Sequence, residues 1–281
     1  VSTDPENCLD ILALSYNYLP HHLKACFLHM AAFPEDCEIE VQKLINLWAA
    51  EGFSDPQSSE NLEQVAEEYL EDLIGRNLVF IEKECFGGKV KTCRLHDFLR
   101  ELCLREAQKE DFMHVIQKRG TKRSRVGLRN QHRLSFHLDP YNDVAAAPGI
   151  PHVSSFMCFT LGTNIVPNIL FFQLGFKVLR VLDIFFLHFD YFPARILKLI
   201  HLRYLALSAT YELPASVSQL RNLQTLVIHG PWHCRESGSS PTLLLEYWSM
   251  PSLRHLQCSV TIYLKKPTGA NSELPQLFVS K

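Results

Sequence analysis

Two Cys-x-x-His pairs, Cys26 to His29 and Cys93 to His96, are the first candidates for chemistry in this 281-residue chain. Together they could supply the Cys2His2 ligand set of a zinc site. The first pair falls on a helix pattern, where positions i and i+3 share a face. Cys26, however, lies on that helix's apolar stripe. The second pair crosses from a strand end into a turn. Nothing in the sequence joins the two pairs, so no metal ligand is assigned.

His96 is followed by Asp97, which adds three further readings: a catalytic dyad, a ligand clamp or a helix cap. A hydrolytic dyad needs a nucleophile and an orienting group. No nucleophile motif such as GxSxG lies near it, and adjacent residues diverge in direction at a strand–helix junction. No catalytic residue is therefore assigned. No GxxxxGK[ST] loop occurs in the chain, so it has no phosphate cradle of its own and is not expected to be an autonomous ATPase.

The elements that must position these residues follow from period and punctuation. Asp4-Pro5 reads as an N-cap and first helical residue, followed by Leu9, Leu12, Ala13 and Tyr16 at helical spacing. Pro20 ends that helix. A short second helix carries Leu23, Cys26, Phe27 and Met30 on one face, and Pro34 closes it. Residues 41–51 form an amphipathic helix ending at Gly52. Ser58 or Ser59 caps the next, whose face is Leu62, Val65, Ala66, Tyr69, Leu70 and Leu73, with Gly75 as its end. The period then changes. NLVFIEK and VKTCRL read as strands around a Gly87-Gly88 turn. Asp97 then caps a helix lined by Leu99, Leu102, Cys103 and Ala107. Helix, helix, hairpin, helix is the order of a winged-helix domain.

Many winged helices read DNA. Here the helix before the wing exposes Glu63, Glu67, Glu68, Glu71 and Asp72, and phosphate repulsion opposes any approach to a groove. Nucleic acid is therefore not an expected partner.

Charge divides the chain. Residues 1–112 hold 10 Lys/Arg against 22 Asp/Glu, while residues 113–281 hold 18 against 8. Halves of opposite sign suggest two modules able to attract one another. Seven of the sixteen residues from Lys118 to Arg133 are basic and none is acidic. That stretch reads as a solvated basic linker.

Beyond it lies a repeat: LRVLDI from Leu179, LRYLAL from Leu202, LQTLVI from Leu223 and LRHLQC from Leu253. The fullest copy has Leu202, Leu205, Leu207, Thr210 and Leu213, the leucine-rich pattern with Thr at the polar position. Each copy supplies one strand to a curved solenoid, which implies protein binding on its concave face. Residues 132–138 and 154–161 are weaker strand candidates, expected as its N-terminal cap. The fold class is thus α+β and multidomain: a helical and winged-helix part, then an α/β leucine-rich solenoid.

The nine cysteines are odd in number and form no CxxC, the pattern of reduced thiols in a cytosolic or nuclear protein. No run of 18 uninterrupted apolar residues suggests a membrane span. The start lacks Met and any signal-peptide pattern, which suggests a piece of a longer protein.

Four stretches then resemble one family: CFLHMAAFPED (26–36), LINLWAAEGF (44–53), VAEEYLEDLIGRNLV (65–79) and CRLHDFLRELCLREA (93–107). In order and followed by leucine-rich repeats, they resemble plant disease-resistance proteins with a nucleotide-binding switch (NB-ARC). The likeness is nearest to the coiled-coil, late-blight-resistance class. It implies the helical end of the NB-ARC module over 1–36, a winged-helix domain over 37–112, a linker over 113–133 and repeats over 134–281. In that family the last winged-helix helix starts with a Met-His-Asp motif, matched here by Leu95-His96-Asp97. The resemblance implies that His96 contacts the β-phosphate of ADP and that Asp97 caps the backbone. Leu95 replaces Met as an apolar anchor. ADP/ATP is implied as the cofactor only together with the P-loop, Walker B strand and GLPL motif, which are not in this chain. Implied partners are the rest of the NB-ARC module and a pathogen effector or guarded host protein read by the repeats. The implied location is cytoplasmic, with nuclear or membrane-associated sites as alternatives.

Overall fold

The computed structural model describes residues 5–53, 62–117, 131–137, 151–159, 175–187, 189, 192–208, 213–229, 250–258 and 278–280. Asp4, Ser58, Ser59, Thr210 and most of the basic stretch lie outside them. The chain divides into two compact units, Val1–Val115 with Arg133–Ser135, and Ile116–His132 with Phe136–Lys281.

The first unit contains α1 (Pro5–Asn17), α2 (His21–His29), a 3-10 turn at Met30–Ala32, β1 (Ile39–Glu40), α3 (Val41–Glu51), α4 (Leu62–Gly75), β2 (Phe80–Glu84), β3 (Val90–Arg94) and α5 (Asp97–Lys109). Its core is apolar and closed: Leu23, Phe27, Leu44, Leu47, Trp48, Leu73 and Leu102 are all buried. Helix α5 turns Leu99, Leu102, Cys103 and Ala107 inward, as their spacing requires. Two long-range bonds fasten it. Cys103 Sγ donates to Phe27 O at 2.9 Å, and Tyr16 Oη donates to Glu110 Oε1 at 2.6 Å.

Three helices end in the same way. Gly52 takes φ 81°, and Phe53 N–H and Gly52 N–H bond to Trp48 O and Ala49 O. Asn77 (φ 56°) does the same for α4, with Leu78 N–H on Leu73 O and Asn77 N–H on Ile74 O. Asp111 (φ 50°) does it for α5, with Phe112 N–H on Ala107 O. These are Schellman terminations, which return orphan carbonyls to hydrogen bonding. The left-handed residue after α4 is therefore Asn77, not Gly75. A Cβ at Gly75 would meet nothing within 4 Å.

Strands β2 and β3 pair antiparallel around a turn in which Gly87 and Gly88 have φ 103° and 79°. Sequence pattern missed β1. It is only two residues long and pairs with β3 through Ile39 opposite Cys93, giving the sheet order β1-β3-β2.

Strands β4 (His114–Ile116) and β5 (Arg133–Phe136) each cross from one unit into the other. Arg133 departs from the solvated-linker reading. Its Nε lies 2.9 Å from Glu51 Oε2, with the two side chains 18% and 0% exposed. A charge brought into a low-dielectric site needs such a partner.

In the second unit, β6 (Ser155–Cys158), β7 (Val181–Ile184), β8 (Tyr204–Ser208), β9 (Thr225–His229), β10 (His255–Cys258) and β11 (Phe278–Ser280) form a parallel ladder. Leu182, Leu205, Leu226 and Leu256 fall opposite one another along four rungs. Leu179, Leu202, Leu223 and Leu253, which open the four copies, are buried as well. β6 joins the same ladder with Phe156 opposite Leu182. The alternate positions are also covered on the early rungs, where Ser155, Met157, Val181, Asp183, Tyr204, Ala206 and Ser208 are buried. Half-exposed alternate positions appear at Val227, His255 and Gln257.

Candidate functional site

The junction of β3 and α5 carries the Leu95-His96-Asp97 motif. Leu95 is buried at 8% exposure and anchors the turn in the core, while His96 and Asp97 are exposed. His96, with φ −71° and ψ 150°, occupies the N-cap position, and the helix begins at Asp97. The first helical bond runs from Arg100 N–H to His96 O at 2.8 Å. The His96 side chain makes no capping hydrogen bond to it. Asp97 is thus not the cap that its residue type suggested. It stands one residue too late, and contributes its charge to the first turn instead.

The His96 ring sits between two phenylalanines. Phe98 lies 6.0 Å away at an interplanar angle of 12°, and Phe80 lies 6.3 Å away at 56°. Both distances fall in the range of favourable aromatic pairing. Phe80, Ile81 and Phe98 are 41–42% exposed, so the histidine stands in a solvent-facing apolar patch. Sequence reading missed this patch. Its signal was Phe98, an aromatic residue out of phase with the apolar stripe of α5. Arg94 and Glu82 pair beside it at 2.7 Å.

Beneath the motif, Arg100 is buried. Its Nε and Nη2 both donate to Phe33 O at 3.3 Å, tying the CFLHMAAFPED stretch to α5. Burial holds its guanidinium below its ordinary pKa. On the far side of β3, Glu38 accepts from Lys83 and Thr92, each at 2.7 Å. The Lys83 bond is the larger cause of its lowered pKa, with Thr92 second.

The Cys-x-x-His pairs have separate fates. Cys26 and His29 are both fully buried on α2, whereas Cys93 is buried and His96 exposed. Desolvation pushes the Cys93 thiol up to about 12 and the His29 imidazole down to about 4. Among the described residues, neither ring nitrogen of His29 has a hydrogen-bond partner, and its ring packs edge-to-face with that of Phe53, centroids 5.5 Å apart. Among the described residues, no group of three or more His, Cys, Asp or Glu is placed to hold a metal ion.

Comparison with known proteins places these elements. A family profile for the winged-helix domain of disease resistance proteins matches residues 32–103, and one for a leucine-rich repeat region matches residues 152–240. Late blight resistance protein R1-A of Solanum demissum is 35% identical over 263 residues, covering 88% of this chain and 20% of that protein. Two putative late blight resistance protein homologs of the same species are 36% and 37% identical over 254 and 269 residues, each covering 88% of this chain and 19% of the relative. The chain is thus similar over most of its length to plant late blight resistance proteins, and carries their winged-helix and leucine-rich repeat regions. It spans about a fifth of the length of these relatives. The resistance-protein winged helix includes α3, α4, the wing and the His96 junction. Its repeat region takes in β6 to β9. Among the described residues, no helix is long and apolar enough to cross a membrane.

Proposed function

We propose that this chain is the regulatory portion of an intracellular immune receptor that switches between ADP-bound and ATP-bound forms. His96 is the nucleotide sensor: it contacts the β-phosphate of ADP and holds the resting state. The observation that carries this reading is an exposed histidine at the N-terminus of α5 whose side chain makes no cap bond to the first-turn N–H groups. Such a terminus favours an anion. Leu95 anchors the motif from below, and Asp97 sets the charge of the helix's first turn. The residues that cradle the nucleotide belong to a P-loop, which this chain does not contain.

The repeats read a pathogen effector or a guarded host protein, and the half-exposed positions on β9 and β10 offer side chains for that contact. Activation is then a population shift in which nucleotide and protein ligand each bias the same two states. The working location is the cytoplasm.

The test uses Asp97→Val in the full-length receptor. The expected outcome is faster ADP loss and signalling without effector. Unchanged ADP retention together with unchanged signalling would sink the sensor assignment. A winged-helix DNA regulator is the competing class. Tight, steeply salt-dependent binding to random duplex DNA would favour it, against the acidic face of α4.

A further inference from the structure

Arg133 comes back to the first unit across 82 positions of sequence from its partner Glu51. What receives it is a built site. The Glu51 carboxylate is 0% exposed and meets Arg133 Nε at 2.9 Å. The guanidinium carbon lies 4.3 Å from the Phe112 ring centre and 5.2 Å from that of Phe53. Arg133 Nη1 also donates to Phe112 O at 3.4 Å. Two residues on, Ser135 Oγ donates to Ala32 O at 2.6 Å, with both groups buried. One anion, two aromatic faces and one carbonyl converge on a planar cation. Guanidinium suits this set better than ammonium, since it stacks on rings and forks its hydrogen bonds.

We propose that Glu51, Phe53 and Phe112 form an arginine cage that Arg133 occupies in cis, latching the segment that leads into the repeats onto the winged-helix unit. The cage stands apart from the His96 junction and does not rest on the nucleotide reading. It is assembled from ends: Phe53 follows the Gly52 terminator of α3, and Phe112 follows the Asp111 terminator of α5. The two left-handed residues thus place both rings. Release of Arg133 would take a cation away from the buried Glu51 carboxylate beside His29. The closed latch is therefore the resting arrangement, and an opened cage is a receptor for another arginine side chain. Its mouth is accessible, because Arg133 itself keeps 18% exposure.

The test is chemical rescue in the full 281-residue chain. Arg133→Ala should raise hydrogen exchange of the β5 amides on the order of a hundredfold, the scale for removing one partner of a buried pair. Millimolar ethylguanidinium should restore protection, and ethylammonium should not. The double variant Glu51→Gln/Arg133→Ala should lose the rescue. If Arg133→Ala lowers overall stability, recovery of Tm by ethylguanidinium alone reads the same cage. Unchanged exchange in Arg133→Ala, rescue by neither cation, or equal rescue by both would overturn the proposal.

Discussion

The same four-residue spacing, Cys-x-x-His, occurs twice and meets opposite environments. On α2 it is swallowed: Cys26 and His29 are fully buried, and the histidine faces Phe53 and the Glu51–Arg133 pair. At the β3–α5 junction it is split: Cys93 belongs to the core while His96 stands in solvent between Phe80 and Phe98. Spacing alone therefore does not nominate a functional histidine. A helix keeps i and i+3 on one side, so Cys26 carries His29 inward with it. A strand end followed by a helix cap breaks that coupling and releases His96. Chemistry with an outside ligand is open only to the second.

The largest expected contrast comes from placing the same charge at both sites. His29→Asp buries a carboxylate next to Glu51 and should cost more than about 4 kcal/mol. His96→Asp should stay within about 0.5 kcal/mol. Urea midpoints of the two variants check this, and similar losses would erase the distinction.

Next in size is the pH effect that His29 carries. Its native pKa of about 4 lies below the ordinary histidine value, so the unfolded chain takes up the proton first as pH falls. The cause is desolvation, with Glu51 opposing the shift and Arg133 adding to it. The neutral histidine's contribution is complete above the unfolded value near pH 6.5. It declines down to about pH 4 and falls no further below that. The loss over that window is about 3 kcal/mol. In His29→Leu this component should vanish from stability measured between pH 4 and 7, whereas His96→Leu should retain it.

The smallest effect concerns the helix starts. Asp97 places an acid in the first turn of α5, while α2 has none there. Asp97→Asn should cost about 0.5 kcal/mol at low salt, and less at high salt. A loss independent of salt would point to a specific bond instead of the helix dipole.

Much of the fold was legible because it is periodic. The helix over 41–51 and its Gly52 end followed from spacing and one glycine. The four leucine copies fell opposite one another in the ladder, since each carries its register in its own six residues. What stayed hidden depended on partners far along the chain or on conformations that residue type only permits. Strand β1 exists because Cys93 offers Ile39 a neighbour 54 residues later. Asn77 and Asp111 adopt left-handed backbones that many other Asn and Asp residues do not. Arg133 looked like one more solvated base, and its identity as a half-buried ion-pair partner lies in Glu51, not in its flanking residues. At the candidate site, the exposed histidine was legible from its motif, whereas Phe80 and the true N-cap were not.

The ladder of Leu182, Leu205, Leu226 and Leu256 is met by sequence steps of unequal length: 23, 21 and 30 residues. Register on each rung is enforced by the strand, while the spacers between Leu182, Leu205 and Leu226 also seat Ile196, Val217 and Leu220 in the core. The step from Leu226 to Leu256 is longer by 7 and 9 residues than the other two, yet it ends in the same register. Length in such a step is heritable variation that the ladder tolerates, and selection for new recognition can act on it while the rungs stay the same.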